Sequence, residues 1–491
     1  MSGSPTTERG PVVGSPARRV AANSVWQMAS FAARAIAGLG VVVLVARTGG
    51  PRSLGVFQFA LMLTAMLPFY YGVPPLLARE VARRPDEGRK WIEAGTLIAL
   101  LAGGLFAALL VGGSVVVSAQ PETVVAVQIA AVGMAMDGVA RVQFAAFWAW
   151  ERMHLEALVT GLQEAVFLVA TAAALNAGGG AREALIAFTA SRAVGAGVGW
   201  AYVGRRLGAP VVPRSDLTFL RSTLRRCTPF AVNDTLTLTY MRADTVLLGM
   251  FKGPVAVGLY QAGTNLVLYF NVIARSINHA LYPRMSKAWP GRPRDFRRLR
   301  DASLRAIALI AVPITVASLL LAPRTFDLLY GPKFDKAVLT YQLLVLVIPV
   351  RMIGHTFSLA LAAADRQARR TIAVTVVALL NVGLNLYAIP RWSYLGAAVT
   401  TLACESLLLV LYGLILRQAV GESRLPHALG VPAAAALPMA AVILATGDQH
   451  LVVSLFAGCA TYCLAVLALA VLRGPRQRPM AAVAGLVKDA A

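Results

Sequence analysis

An arginine deep inside an apolar run has few uses, because an ionisable group in hydrocarbon costs about 3 kcal/mol or more and marks a pathway or a partner. Arg34 is the clearest example: it lies more than ten residues from either end of the run at about Ala21 to Ala46, too deep for easy snorkelling. Asn23, Gln27, Ser30 and Arg34 stand at offsets 0, 4, 7 and 11, so they share one helical face. Asn233, Thr237, Tyr240 and Asp244 repeat the same offsets, and this second stripe ends in an acid. A third set, Asn271, Arg275 and Asn278, has offsets 0, 4 and 7, and Arg351, His355 and Ser358 line another face. The competing readings are a polar seam between helices for the stripes and a hydrogen-bonded core residue for His355. For Arg275 it is interfacial snorkelling, since Arg284 is nine residues on.

The acids divide by whether a cation stands near. Asp137 and Arg141 are one turn apart and neutralise each other; Glu164 and Arg192 can do so between neighbouring spans, and all four read as structural. Asp244 and Glu405 have the least local compensation, which makes them the candidates for binding a coupling ion. No catalytic or metal site is expected. There is no Walker loop, His-Glu-x-x-His or Gly-x-Ser-x-Gly motif. Cys227, Cys404, Cys459 and Cys463 sit in or beside apolar segments with no ligand cluster around them. No cofactor is expected either. No segment outside the apolar runs exceeds about 25 residues, which leaves no room for a nucleotide-binding or glycosyltransferase domain. Energy must then come from a proton or sodium gradient, the membrane potential, or the substrate itself.

These residues need membrane-crossing helices to hold them. With 57% hydrophobic and 14% charged residues, the composition is that of a polytopic helical membrane protein, an all-α chain. About fourteen spans are expected: six within 21–207, six within 223–420 and two more within 421–474. A tail (1–20), a linker (208–222) and a second tail (475–491) lie outside them, all expected on the cytoplasmic side of a plasma membrane. The net charge of +23 does not imply nucleic acid, because its placement follows the membrane: nineteen Arg and Lys fall in 79–90, 205–226 and 284–305 alone. An internal repeat supports two like-oriented halves. Gly50-Pro51-Arg52-Ser53-Leu54-Gly55-Val56-Phe57-Gln58 returns as Gly253-Pro254-Val255-Ala256-Val257-Gly258-Leu259-Tyr260-Gln261. Two parallel six-helix bundles of this kind are the geometry of a rocking transporter.

Further stretches carry a family resemblance. They are Ala46-Arg47-x-Gly-Gly-Pro-x-x-Leu-Gly55-Val-Phe57, Leu77-Ala78-Arg79-Glu80-Val81-Ala82 and Asp244 before Leu248-Gly249. Ala280-Leu281-Tyr282-Pro283, Leu328-Leu329-Tyr330-Gly331-Pro-x-Phe334, Asn381-x-x-x-Asn385 and Leu395-Gly396-Ala397-Ala398 follow in order. From about residue 20 to 420 the chain resembles the polysaccharide (Wzx-type, O-antigen) flippases of the multidrug/oligosaccharidyl-lipid/polysaccharide exporter superfamily. The resemblance implies a multi-pass plasma-membrane transporter, and no enzyme, that flips a polyprenyl-diphosphate-linked oligosaccharide. A polysaccharide polymerase and glycosyltransferases would then be its partners. Arg34, Arg275 and Arg351 suit the diphosphate, since a guanidinium fork matches phosphate oxygens; Asn23, Gln27, Asn233 and Asn271 suit sugar hydroxyls. The alternatives are a lipid II flippase, a drug/cation antiporter of the same fold, and a non-transporting scaffold of a polymer-assembly complex.

Overall fold

The computed structural model describes residues 16–66, 72–117, 120–208, 211–447 and 449–472, and a few side chains inside the helices are not described. Among the described residues every regular element is helical. In order they are α1 (Pro16–Ala65), α2 (Val73–Arg83), α3 (Gly88–Val117), α4 (Pro121–Ala149), α5 (Met153–Asn176), α6 (Ala181–Arg206), α7 (Leu217–Lys252) and α8 (Pro254–Ala288). There follow α9 (Pro293–Leu320), α10 (Ala322–Tyr330), α11 (Val338–Val345), α12 (Val347–Ala363), α13 (Gln367–Val420), α14 (Leu425–Ala445) and α15 (Leu451–Leu472). Ten helical stretches among the described residues are long and apolar enough to cross a membrane. Two of them hold two expected spans each, because α1 and α13 run through the non-helical residues Gly50 and Ser393. At 36 and 35 residues, α7 and α8 are also long enough by length alone.

The chain divides by its internal packing into two units: Met1–Leu44 with Leu63–Thr239, and Val45–Met62 with Tyr240–Ala491. In the first unit α4 is the central element, with Ala130, Ala131, Ala140, Ala145 and Ala146 all buried. Small side chains let backbones approach where lipid supplies no hydrophobic drive to associate. Bulk comes from α2 and α3, where Leu76, Leu77, Trp91 and Ile92 are buried against Val142 and Phe147. Glu80 is buried in this core and accepts from Arg79 (3.0 Å) and Arg226 (3.1 Å), which ties α2 to the start of α7.

The second unit contains both copies of the repeated phrase, and they pack on each other. Gly50 (φ 68°, ψ −166°) and Gly253 (φ 76°, ψ −176°) share a backbone conformation that L side chains rarely adopt. Each is followed by a proline at the first helical position, where the missing N–H costs nothing. A Cβ on Gly55 would lie 1.7 Å from the Pro254 carbonyl oxygen, and one on Gly258 would lie 1.9 Å from that of Pro51. The contact is reciprocal, backbone against backbone. A third junction, Gly331-Pro332, has the same shape (φ 78°, ψ 178°), and there Arg47 caps the end of α10 by donating to the carbonyls of Leu328 and Leu329.

The last two helices dock on α9. Ala317 of α9 and Leu321 just past its end meet Ala435, Met439 and Ile443 of α14 and Tyr462 and Val466 of α15, and the Tyr462 hydroxyl donates to the Leu309 carbonyl at 2.9 Å.

Candidate functional site

In the first unit the stripe on α1 converges on one acid. Glu156, in the first turn of α5, is only 4% exposed. Its Oε2 accepts from Gln27 Nε2 (2.8 Å) and from Trp148 Nε1 (2.6 Å), near the end of α4. Arg34 Nη2 donates to Glu156 Oε1 and to Thr160 Oγ1, one turn further along α5, both at 3.2 Å. Ser30 lies buried between them. Asn23 is half-buried and joins neither group. Gln27 and Arg34, two of the four stripe residues, thus share one docking partner. Arg34 is not consumed by that partner, however. Both bonds run from one nitrogen, and the side chain remains 45% exposed. A guanidinium held along one edge keeps donors for an anion.

The sequence does not single out Glu156, for a physical reason. An acid in the first turn of a helix is an ordinary complement to the helix dipole, and nothing local shows that it is buried. The usable signal was the reverse one, that Arg34 needed an acid within reach.

In the second unit Arg351 on α12 donates to Glu405 Oε1 on α13, from Nε at 3.0 Å and from Nη2 at 2.5 Å. Glu405 has no partner nearby in sequence, as expected; its cation is 54 positions away and is brought in by packing. Arg351 and Glu405 are 23% and 13% exposed, so Arg351 is less available than Arg34. Asp244 is held as well. It accepts from the Tyr260 hydroxyl and from the Thr245 N–H (2.7 Å). Tyr260 also meets Thr401 Oγ1 at 3.3 Å, and Gln261 donates to Thr245 Oγ1 at 2.7 Å. The aromatic and the glutamine that close the second copy of the repeat thus serve to fix Asp244. A line of polar contacts therefore runs from Asp244 through Tyr260 to Thr401, which lies one turn before Glu405 on α13.

Asn233 on α7 and Asn271 and Arg275 on α8 are among the residues whose side chains are outside the described set. The two pairs read as structural are present: Arg141–Asp137 at 2.6 Å, and Arg192–Glu164 at 2.9 Å with the Arg192 guanidinium over the Phe188 ring.

The partly buried Arg351–Glu405 pair yields an expected result. Arg351→Gln or Glu405→Gln alone should destabilise by about 3 kcal/mol, because each leaves one charge without its partner. The double variant should recover most of that loss, measured as the coupling energy of a thermal-denaturation cycle. A coupling energy near zero would remove the pair as a joint between α12 and α13.

Residues 20–289 match the family model for a polysaccharide biosynthesis protein. The chain belongs to that family. A second model, MatE, matches residues 229–387 of this polysaccharide biosynthesis protein. A probable flippase, AglR of Haloferax volcanii, is 26% identical over 243 residues, which is 47% of this chain and 51% of that protein. The match thus spans about half the length of that relative. Among solved structures, the lipid II flippase MurJ in an inward closed conformation aligns with a TM-score of 0.72 at 16% identity, covering 90% of this chain and 97% of that one. An inward-facing multidrug resistance MATE transporter of the MOP superfamily aligns with a TM-score of 0.66 at 15% identity, covering 79% and 94%. At these identities the likeness is one of fold. This polysaccharide biosynthesis family member is a multi-pass membrane protein by its ten long apolar helical stretches, and its fold is MurJ-like and MATE-like.

Proposed function

We propose that the protein translocates a polyprenyl-diphosphate-linked oligosaccharide from the cytoplasmic to the outer leaflet of the plasma membrane, by alternating access, during assembly of a cell-surface polysaccharide. The observation that carries this reading is the family match over residues 20–289 on a MurJ-like and MATE-like fold. The name of AglR, a probable flippase, points the same way. Arg34 supplies the chemistry, since it is fixed along one edge by Glu156 and Thr160 and is 45% exposed elsewhere. Arg275 and Arg351 are further hosts for the diphosphate, and Asn23, Gln27, Asn233 and Asn271 for sugar hydroxyls. Asp244 and Glu405 are the groups whose protonation or ion binding would couple transport to a gradient. Both termini lie on the cytoplasmic side, where the basic loops gather. Glycosyltransferases would supply the substrate and a polymerase would consume it.

The relative named for lipid II suggests the second reading, a peptidoglycan-precursor flippase. One experiment separates the two. Depleting the protein should cause a glycan on polyprenyl diphosphate to accumulate on the inner side, identified by mass spectrometry of extracted lipids. Accumulation of lipid II instead would transfer the assignment to the second reading, and no accumulation of either would end both.

A further inference from the structure

A pocket of about 700 Å³ lies in the second unit, between the first turns of α9 and α14, and it is lined largely by arginine. Arg294, Arg297, Arg298 and Arg305 come from α9, with Arg424 and His427 from the start of α14. Its two acids, Asp301 and Glu422, are already matched. Asp301 receives Arg300 at 2.9 Å, and the Glu422 carboxylate receives Arg417 at 2.8 Å. Arg300 itself is fully buried and already engaged, since it also donates to the carbonyls of Gly421 (3.1 Å) and Glu422 (2.7 Å) just past the end of α13. It caps the negative end of that helix and adds nothing to the pocket's demand for an anion.

What remains is a surplus of positive charge. Among the described residues Arg294, Arg297, Arg298, Arg305 and Arg424 have no acid partner, and the Arg305 Nε is buried without any hydrogen-bond partner. A buried donor left unmade is costly, and five like charges around one cavity repel. The positive ends of two long helices open at the same place. The floor has a different character, since Leu309, Val431 and Pro432 carry the lining along α9 and α14 into the apolar part of the fold. A charged mouth over an apolar floor fits an amphiphile better than a free ion.

We propose that this pocket binds the phosphate headgroup of an anionic phospholipid, from the leaflet on the side of the basic loops, with the start of its chains on the apolar floor. Basic pockets between transmembrane helices suit such headgroups. The pocket shares no lining residue with the Arg34 and Arg351 clusters, and the inference does not depend on what the protein moves.

The test uses the purified full-length protein in a neutral detergent, with phosphatidylglycerol, phosphatidylcholine of the same chains, or inorganic phosphate added. Phosphatidylglycerol should raise the thermal midpoint by several degrees and remain bound in native mass spectra, whereas the other two should do neither. Arg298→Gln/Arg424→Gln, both exposed positions, should weaken phosphatidylglycerol binding at least tenfold with the protein still folded. Arg205→Gln/Arg221→Gln, the same charge change elsewhere, should leave binding intact. Equal stabilisation by phosphatidylcholine, equal stabilisation by inorganic phosphate, or equal weakening in both double variants would each overturn the assignment.

Discussion

Arg34→Ala is expected to lower export of the lipid-linked glycan by about 30-fold or more per molecule of protein in the membrane, with abundance close to normal. The size follows from losing a charge-assisted contact to phosphate, about 2–5 kcal/mol when a charged partner is left behind, at tenfold per 1.4 kcal/mol. The normal abundance follows from Glu156. That carboxylate keeps its bonds from Gln27 and Trp148 when Arg34 is removed, and an ion pair whose cation is 45% exposed is partly screened by solvent. Arg34→Lys should recover part of the activity, because a point charge replaces a planar fork. Glu156→Ala should show the opposite pattern, with abundance falling first, since it strips three donors of their shared acceptor. Export by Arg34→Ala that is normal, once divided by the amount of protein in the membrane, would take this arginine out of the substrate site.

The second large effect belongs to the glycine crossing. Gly55→Ala and Gly258→Ala should each destabilise by about 1–3 kcal/mol, the usual cost of overpacking. A methyl group within 2 Å of a carbonyl oxygen forces the helix starts apart by roughly 1 Å or more, and dispersion contacts along the crossing are lost. The informative variant is the double one. The two methyl groups open the same gap, so the second should add little once the first is in place, and the combined loss should fall well short of the sum. Thermal midpoints of the four proteins measure this. Simple additivity would mean that the two sites relax independently and that the reciprocal contact does not hold in solution.

Some of this architecture could be read before any coordinates. Span lengths, the doubled phrase and the pairing of Asp137 with Arg141 depend on periodicity and local spacing, which a sequence displays directly. Arg34 and its stripe were legible because a charge stands out against an apolar run. Partners supplied by distant segments were not. Glu156 looks like a routine first-turn acid, and Glu405 looks alone until α12 packs against α13. Asp244 illustrates the limit well. The sequence marks it as an uncompensated acid, whereas the structure surrounds it with the hydroxyl of Tyr260 and the backbone of Thr245. The resemblance stretches also proved to be joints. Glu80 ties α2 to α7, and the Tyr330 hydroxyl donates to the Ala262 carbonyl of α8 at 3.1 Å.

The crossing of the two phrases has a consequence for ancestry. Pro51 meets Gly258 as Pro254 meets Gly55, and a contact in which each partner offers the other the same patch is an isologous interface. Two separate copies of a half-length chain could make that contact about a two-fold axis. Joining them end to end would keep it unchanged while freeing the halves to diverge. That divergence is visible where the phrases end: the second copy has Tyr260, whose hydroxyl secures Asp244, and the first has Phe57, which has no hydroxyl to give.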